Sequence, residues 1–181
     1  MKKLIGIITL FTTVLTLCGD EQLLQIGKAQ SKVEVVVNVT AHTFVASLEN
    51  YDLKITVDTE RAKIINTEFS FDFKELKTGK KARDKEMLKW EEYNKYPNCF
   101  FILTALHEQG EKVIAEGMLT LHGIEKEIRF PIKVNTAGAR WTIHGNTVID
   151  HLDWDLPIIK KLILKVDPNL SVNFHLEGVL N

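Results

Sequence analysis

Cysteine is almost missing from this chain: its 181 residues include two, Cys18 and Cys99. A disulfide-stapled fold is therefore excluded, and no Cys-x-x-Cys spacing offers a zinc site or a redox pair. The six histidines are His42, His107, His122, His144, His151 and His175. None forms a helical His-x-x-x-His pair or stands at ligand spacing from a cysteine, so no metal is expected. No serine sits in a nucleophile elbow, which leaves a hydrolase reading with little beyond His151 and its neighbours Asp150 and Asp153. Those two carboxylates suit a turn cap better. Net charge is missing too, at −1 overall and −3 once Lys2 and Lys3 are set aside. Nothing in that balance points to nucleic acid, and the basic cluster Lys77, Lys80, Lys81 and Arg83 around Gly79 reads as a solvated turn. Internal repeats and low-complexity segments are absent.

One apolar run stands out. After Lys2 and Lys3, residues Leu4 to Leu17 are nearly unbroken in hydrophobicity. Fourteen residues at ~1.5 Å each make about 21 Å of helix, short of the roughly 30 Å of a hydrocarbon core. The pattern predicts a cleaved export signal over residues 1–19, followed by a domain over 20–181. Leu15-Thr16-Leu17-Cys18 resembles a lipobox, and ordinary cleavage after Cys18 or Gly19 is the rival. Either outcome consumes Cys18 and leaves Cys99, beside Phe100 and Phe101, as a buried and inert thiol.

The remaining 160 or so residues are enough for one domain with a real core. Strand patterns follow one another: 33–40, 44–48, 53–57, 64–73, 100–107, 112–121, 127–136, 139–149 and 170–179. Turn signals separate them, among them Asn50-Tyr51-Asp52, His122-Gly123, Ala137-Gly138 and Asp167-Pro168-Asn169. Short connections without interposed helices exclude parallel βαβ construction and predict an antiparallel sandwich or barrel. One helix is expected over Ala82–Glu92, with Asp84 in its first turn, paired with Arg83, and with Pro97 forbidding continuation. The stretch Leu156–Val166 fits a short helix over a barrel mouth or an irregular loop.

Period-two alternation aligns Phe69 with Phe71, Leu119 with Leu121, Phe130 with Ile132, and Phe174 with Leu176. In a barrel these are the inward faces. Phe101 alternates with Cys99 and Leu103, although Phe100 and Ile102 are apolar as well and leave that strand's inward face open. A small closed sheet has an interior just wide enough to fill with side chains or to hold one ligand.

The wording of several segments goes further. Leu119-Thr120-Leu121-His122-Gly123-Ile124-Glu125-Lys126-Glu127-Ile128-Arg129-Phe130-Pro131-Ile132 resembles the LTLHGVTKPVTLDV-type hairpin of the YceI-like family, lipocalin-like barrels of the bacterial envelope. Arg83-Asp84, Met87-Leu88, Tyr96-Pro97 and Phe101 are similar to that family's RD-x-x-(M/L) … YP-x-x-x-F segment. Residues 149–156, IDHLDWDL, resemble its INRSDFGL, and 39–44, VTAHTF, resemble a STLHDF-like turn. Glu86 departs from the RD-x-H pattern, so no role of that histidine transfers. The resemblance implies an all-β lipocalin-like barrel of about eight strands with one short helix. It further implies an isoprenoid-type lipid, a polyisoprenoid or quinone, in an apolar lumen lined by Phe69, Phe71, Phe101, Leu119, Leu121, Phe130, Ile132, Phe174 and Leu176. It implies no catalysis and no cofactor. A periplasmic or envelope location, association with a membrane surface and a homodimer are compatible with it. The rival is a packed barrel whose interactions are on its surface.

Overall fold

The computed structural model describes residues 20–40, 42–110, 112–161 and 164–180. The expected leader with Cys18 lies outside the described residues, as do Ala41, Glu111, Leu162, Ile163 and Asn181. The elements are β1 (Glu21–Leu23), β2 (Gln25–Ile26), β3 (Lys32–Val39), β4 (His42–Leu48), β5 (Asp52–Asp58), β6 (Lys63–Asp72), β7 (Leu76–Lys77), α1 (Lys81–Trp90), β8 (Asn98–Gln109), β9 (Lys112–Leu121), β10 (Ile124–Ala137), β11 (Arg140–Asp150), β12 (Lys160–Lys161), β13 (Leu164–Lys165) and β14 (Asn169–Val179). Single 3-10 turns stand at Phe73–Glu75 and His151–Trp154.

Every ladder is antiparallel, and one curled sheet follows the path β1-β5-β6-β8-β9-β10-β11-β14-β3-β4-β7, with β2 beside β14. The expected count of about eight strands is thus too low. Nine strands reach seven residues or more, and the rest of the path is made of two- and three-residue edge pieces. Such pieces are too short to show a period, so the sequence pattern passes over them. The described residues of Leu156–Val166 form no helix, and β12 and β13 pair antiparallel within the stretch.

Local chemistry explains the geometry. His122 and Gly123 take φ of 50° and 73°, a two-residue turn whose twist matches that of the strands it joins, β9 and β10. Register shifts between Leu103 and Ala105 on β8, and between Thr56 and Val57 on β5, mark bulges that sharpen the curl. The first also reverses the phase of β8. Cys99, Phe101 and Leu103 face inward before it and Leu106 after it, while Phe100 and Ile102 are 45% and 50% exposed. That settles the inward face the alternation left open.

The core is divided. One buried cluster gathers around Ile55, Val57, Phe130, Trp141 and Ile143, and a second around Ala46, Phe73, Cys99, Trp154 and Leu156. Val33, Leu53, Phe69, Leu119 and Ile128 pack against both and are only partly buried. A belt of partly buried apolar side chains thus lies between two dry clusters.

Candidate functional site

An apolar cavity of about 670 Å³ occupies that belt. Native cores contain few voids larger than a water molecule, whereas ligand sites run to about 300–1,000 Å³. The eight residues that alternation sets on inward faces, Phe69, Phe71, Leu119, Leu121, Phe130, Ile132, Phe174 and Leu176, all line it, and so does Phe101, whose strand the alternation left open. Aromatic rings follow one another along the wall. Phe101 and Phe130 have centroids 5.6 Å apart, Phe130 and Phe174 meet edge to face at 5.9 Å, and Phe69 and Phe71 lie at 5.8 Å. The Phe174 ring lies over Gly145, where an added Cβ would come within 2.2 Å of it.

Other wall residues lie outside these nine. Val33, Val35 and Val37 line the cavity from β3, a period-two signal the sequence displays plainly. Met87 and Trp90, three residues apart and so on one face of α1, close it from the helix, and Trp90 is fixed by its Nε1–H donating to the Pro157 carbonyl at 2.7 Å. Few polar groups reach the wall. His42, Lys80, Arg83 and Glu86 cluster where the start of β4 meets the N-terminal half of α1, and the exposure of His42 and Lys80 places the mouth there.

Several polar expectations need correction. Asp84 stands in the first turn of α1 as expected, but it neither caps the helix nor pairs with Arg83. Its Oδ1 accepts hydrogen bonds from the Thr78 backbone N–H at 2.9 Å and the Thr78 hydroxyl at 2.6 Å, tying the preceding turn to the helix. The Arg83 guanidinium instead lies 3.7 Å over the Phe44 ring. His144 lies opposite His175: its Nδ1 is 3.0 Å from His175 Nδ1, and His175 Nε2–H donates to Glu177 at 3.1 Å. His122 serves its turn and donates from Nδ1 to the Trp154 carbonyl at 3.1 Å. Among the described residues, no group of three His, Cys, Asp or Glu side chains could hold a metal. His151 is buried and donates from Nδ1 to the Leu156 carbonyl at 3.0 Å. Asp150 accepts from the Leu152 N–H, and Asp153 lies 3.8 Å from Lys126, so neither carboxylate engages His151.

Glu91 carries no signal in the sequence pattern. It follows α1, its side chain is fully buried, and neither oxygen has a hydrogen-bond partner. Burial pushes its pKa up from 4.5 to about 8, opposed by the nearby His122 backbone N–H. Burial likewise raises the Cys99 thiol, helped by the Glu91 charge, and keeps it unreactive.

The profile of the YceI-like domain family matches residues 24–178. Among solved structures, Burkholderia cenocepacia BcnA is similar at a TM-score of 0.75 and 20% identity, covering 84% of this chain and 99% of its own. A polyisoprenoid-binding domain from Saccharophagus degradans follows at 0.66 and 15%, covering 88% and 99%. The Campylobacter jejuni YCEI protein stands at 0.65 and 17%, covering 75% and 84%. At these identities the likeness is one of fold. No curated protein matches the chain at a significant level.

Proposed function

We propose, since this chain belongs to the YceI-like domain family, that it is a binding protein, not an enzyme, and that it holds a long-chain isoprenoid lipid in its central cavity. The observation that carries the reading is the void itself: about 670 Å³ with almost wholly apolar walls, enclosed by side chains from β3 to β14 and by α1. A barrel acting only through its surface would gain by filling that space, because an empty apolar cavity forfeits the contacts of its lining. A polyisoprenoid-binding domain among the structural neighbours favours the same ligand class. Each buried CH2 contributes about 0.8 kcal/mol, so a tail of several isoprene units offsets the cost of association.

The export signal expected over residues 1–19 puts this carriage or storage in the cell envelope, with a membrane as the lipid's source. No described helix is long and apolar enough to cross a membrane. A homodimer and a lipid anchor on Cys18 are compatible with the reading, and it depends on neither.

Native mass spectrometry of protein purified from its own host, followed by lipid extraction, tests the ligand. Leu121 is buried on the wall, and Thr120 beside it is not part of the wall. Leu121→Arg puts an unpaired charge among apolar side chains and is expected to abolish lipid retention, whereas Thr120→Arg retains it. Both variants must show a folded β-sheet by circular dichroism. Equal retention by the two would overturn the assignment of the cavity as the lipid site.

A further inference from the structure

The basic cluster that reads as a solvated turn in the sequence is brought by the fold to the edge of the cavity. Lys80 and Arg83 both line the mouth, beside His42 and Phe44 of β4. Arg83 is half-buried, with its guanidinium flat on the Phe44 ring at 3.7 Å. Among the described residues, neither Lys80 nor Arg83 has a carboxylate partner. The two acidic side chains of this stretch are engaged elsewhere. Asp84 accepts from Thr78, and Glu86, also at the mouth, accepts from Lys89 Nζ at 2.9 Å. Exposed Lys81 and Lys85 on α1, and exposed Lys165 on β13, whose neighbour Val166 lines the wall, add to the positive field.

A guanidinium stacked on an aromatic face keeps its N–H edges free. Its planar fork suits a carboxylate or phosphate, not a neutral carbonyl. Resting on the lipid-binding reading above, we propose that the mouth is an anion subsite. The lipid carries an anionic head group, a phosphate or a carboxylate, that Arg83 and Lys80 hold while the tail enters the apolar void. Arg83 supplies directed hydrogen bonds from a partly desolvated position, and Lys80 supplies a screened point charge at the rim.

The test keeps the tail constant and changes the head. Geranylgeranyl monophosphate, geranylgeranoic acid, geranylgeraniol and menaquinone-4 share one tail of four isoprene units. Their relative affinities for delipidated protein are read by competition in native mass spectrometry and by equilibrium dialysis. The phosphate or the acid is expected to bind about ten-fold or more above the alcohol and the quinone, as charge-assisted hydrogen bonds warrant. That preference should shrink as salt is raised. Arg83→Gln is expected to bring the anion-to-alcohol ratio to within about two-fold, and Lys80→Gln to reduce it by a smaller factor. All four probes binding alike to the wild type would overturn the anion subsite and leave the lipid reading standing. Failure of all four to bind would overturn both. The wild-type comparison decides the matter even if Arg83→Gln does not fold.

Discussion

Replacing Glu91 by glutamine should change how this protein's stability depends on pH. In the folded state the carboxyl is buried without a partner and keeps its proton up to about pH 8, against 4.5 for the free side chain. Between those values the folded chain holds a proton that the unfolded chain has released. A raised carboxylate pKa therefore costs stability as pH climbs: the penalty is absent below about 4.5, grows through the interval and levels off above about 8. At ~1.4 kcal/mol per unit the full span is roughly 5 kcal/mol, of which about 3 is already present at pH 7. That is a large share of the 5–15 kcal/mol typical of a domain. A glutamine side chain has nearly the same shape and does not titrate. Urea unfolding followed by tryptophan fluorescence at pH 5, 7 and 9 should give similar midpoints for the two proteins at pH 5 and a widening advantage for Glu91→Gln above it. Because Glu91 directly follows α1, which covers the cavity, the wild type should also retain lipid less well at pH 9 than at pH 6. Parallel profiles from pH 5 to pH 9 would refute the reasoning, since they require a Glu91 that is solvated or paired in the folded state.

Three further outcomes are expected. Asp84→Ala removes both acceptor contacts to Thr78 and should cost about 1–3 kcal/mol, read as a shift in the urea midpoint; an unchanged midpoint would show that the tie from the turn to the helix carries no weight. Gly145→Ala sets a Cβ 2.2 Å from Phe174 Cζ, so it should push that ring into the cavity and lower the amount of lipid retained, and undiminished retention would count against Phe174 as part of the wall. Cys99 should resist alkylation in the native state and react only at the rate of global unfolding, whereas rapid labelling of the folded protein would refute its burial.

The elements and their facing are legible in the linear chain. Alternation marks the long strands, His122-Gly123 marks the tight hairpin, and the eight residues that alternation sets on inward faces all line one cavity, whereas the facing of Phe101 is decided only in the folded chain. Those features are local: a side chain's direction along a strand follows from the pleat, and a two-residue turn follows from φ. The pairing of polar groups is not local, and it emerges from the folded chain alone. Asp84 finds Thr78 across six residues, His144 finds His175 thirty-one residues away, and Glu91 is enclosed with no partner. The edge strands β1, β2 and β7 also emerge only from their pairings, because two or three residues carry no period. Above all, alternation specifies which side faces in but not whether that side is filled. The volume inside depends on strand number, stagger and bulges, which are set by contacts between residues far apart in the chain, and here they leave an empty apolar space with a basic rim.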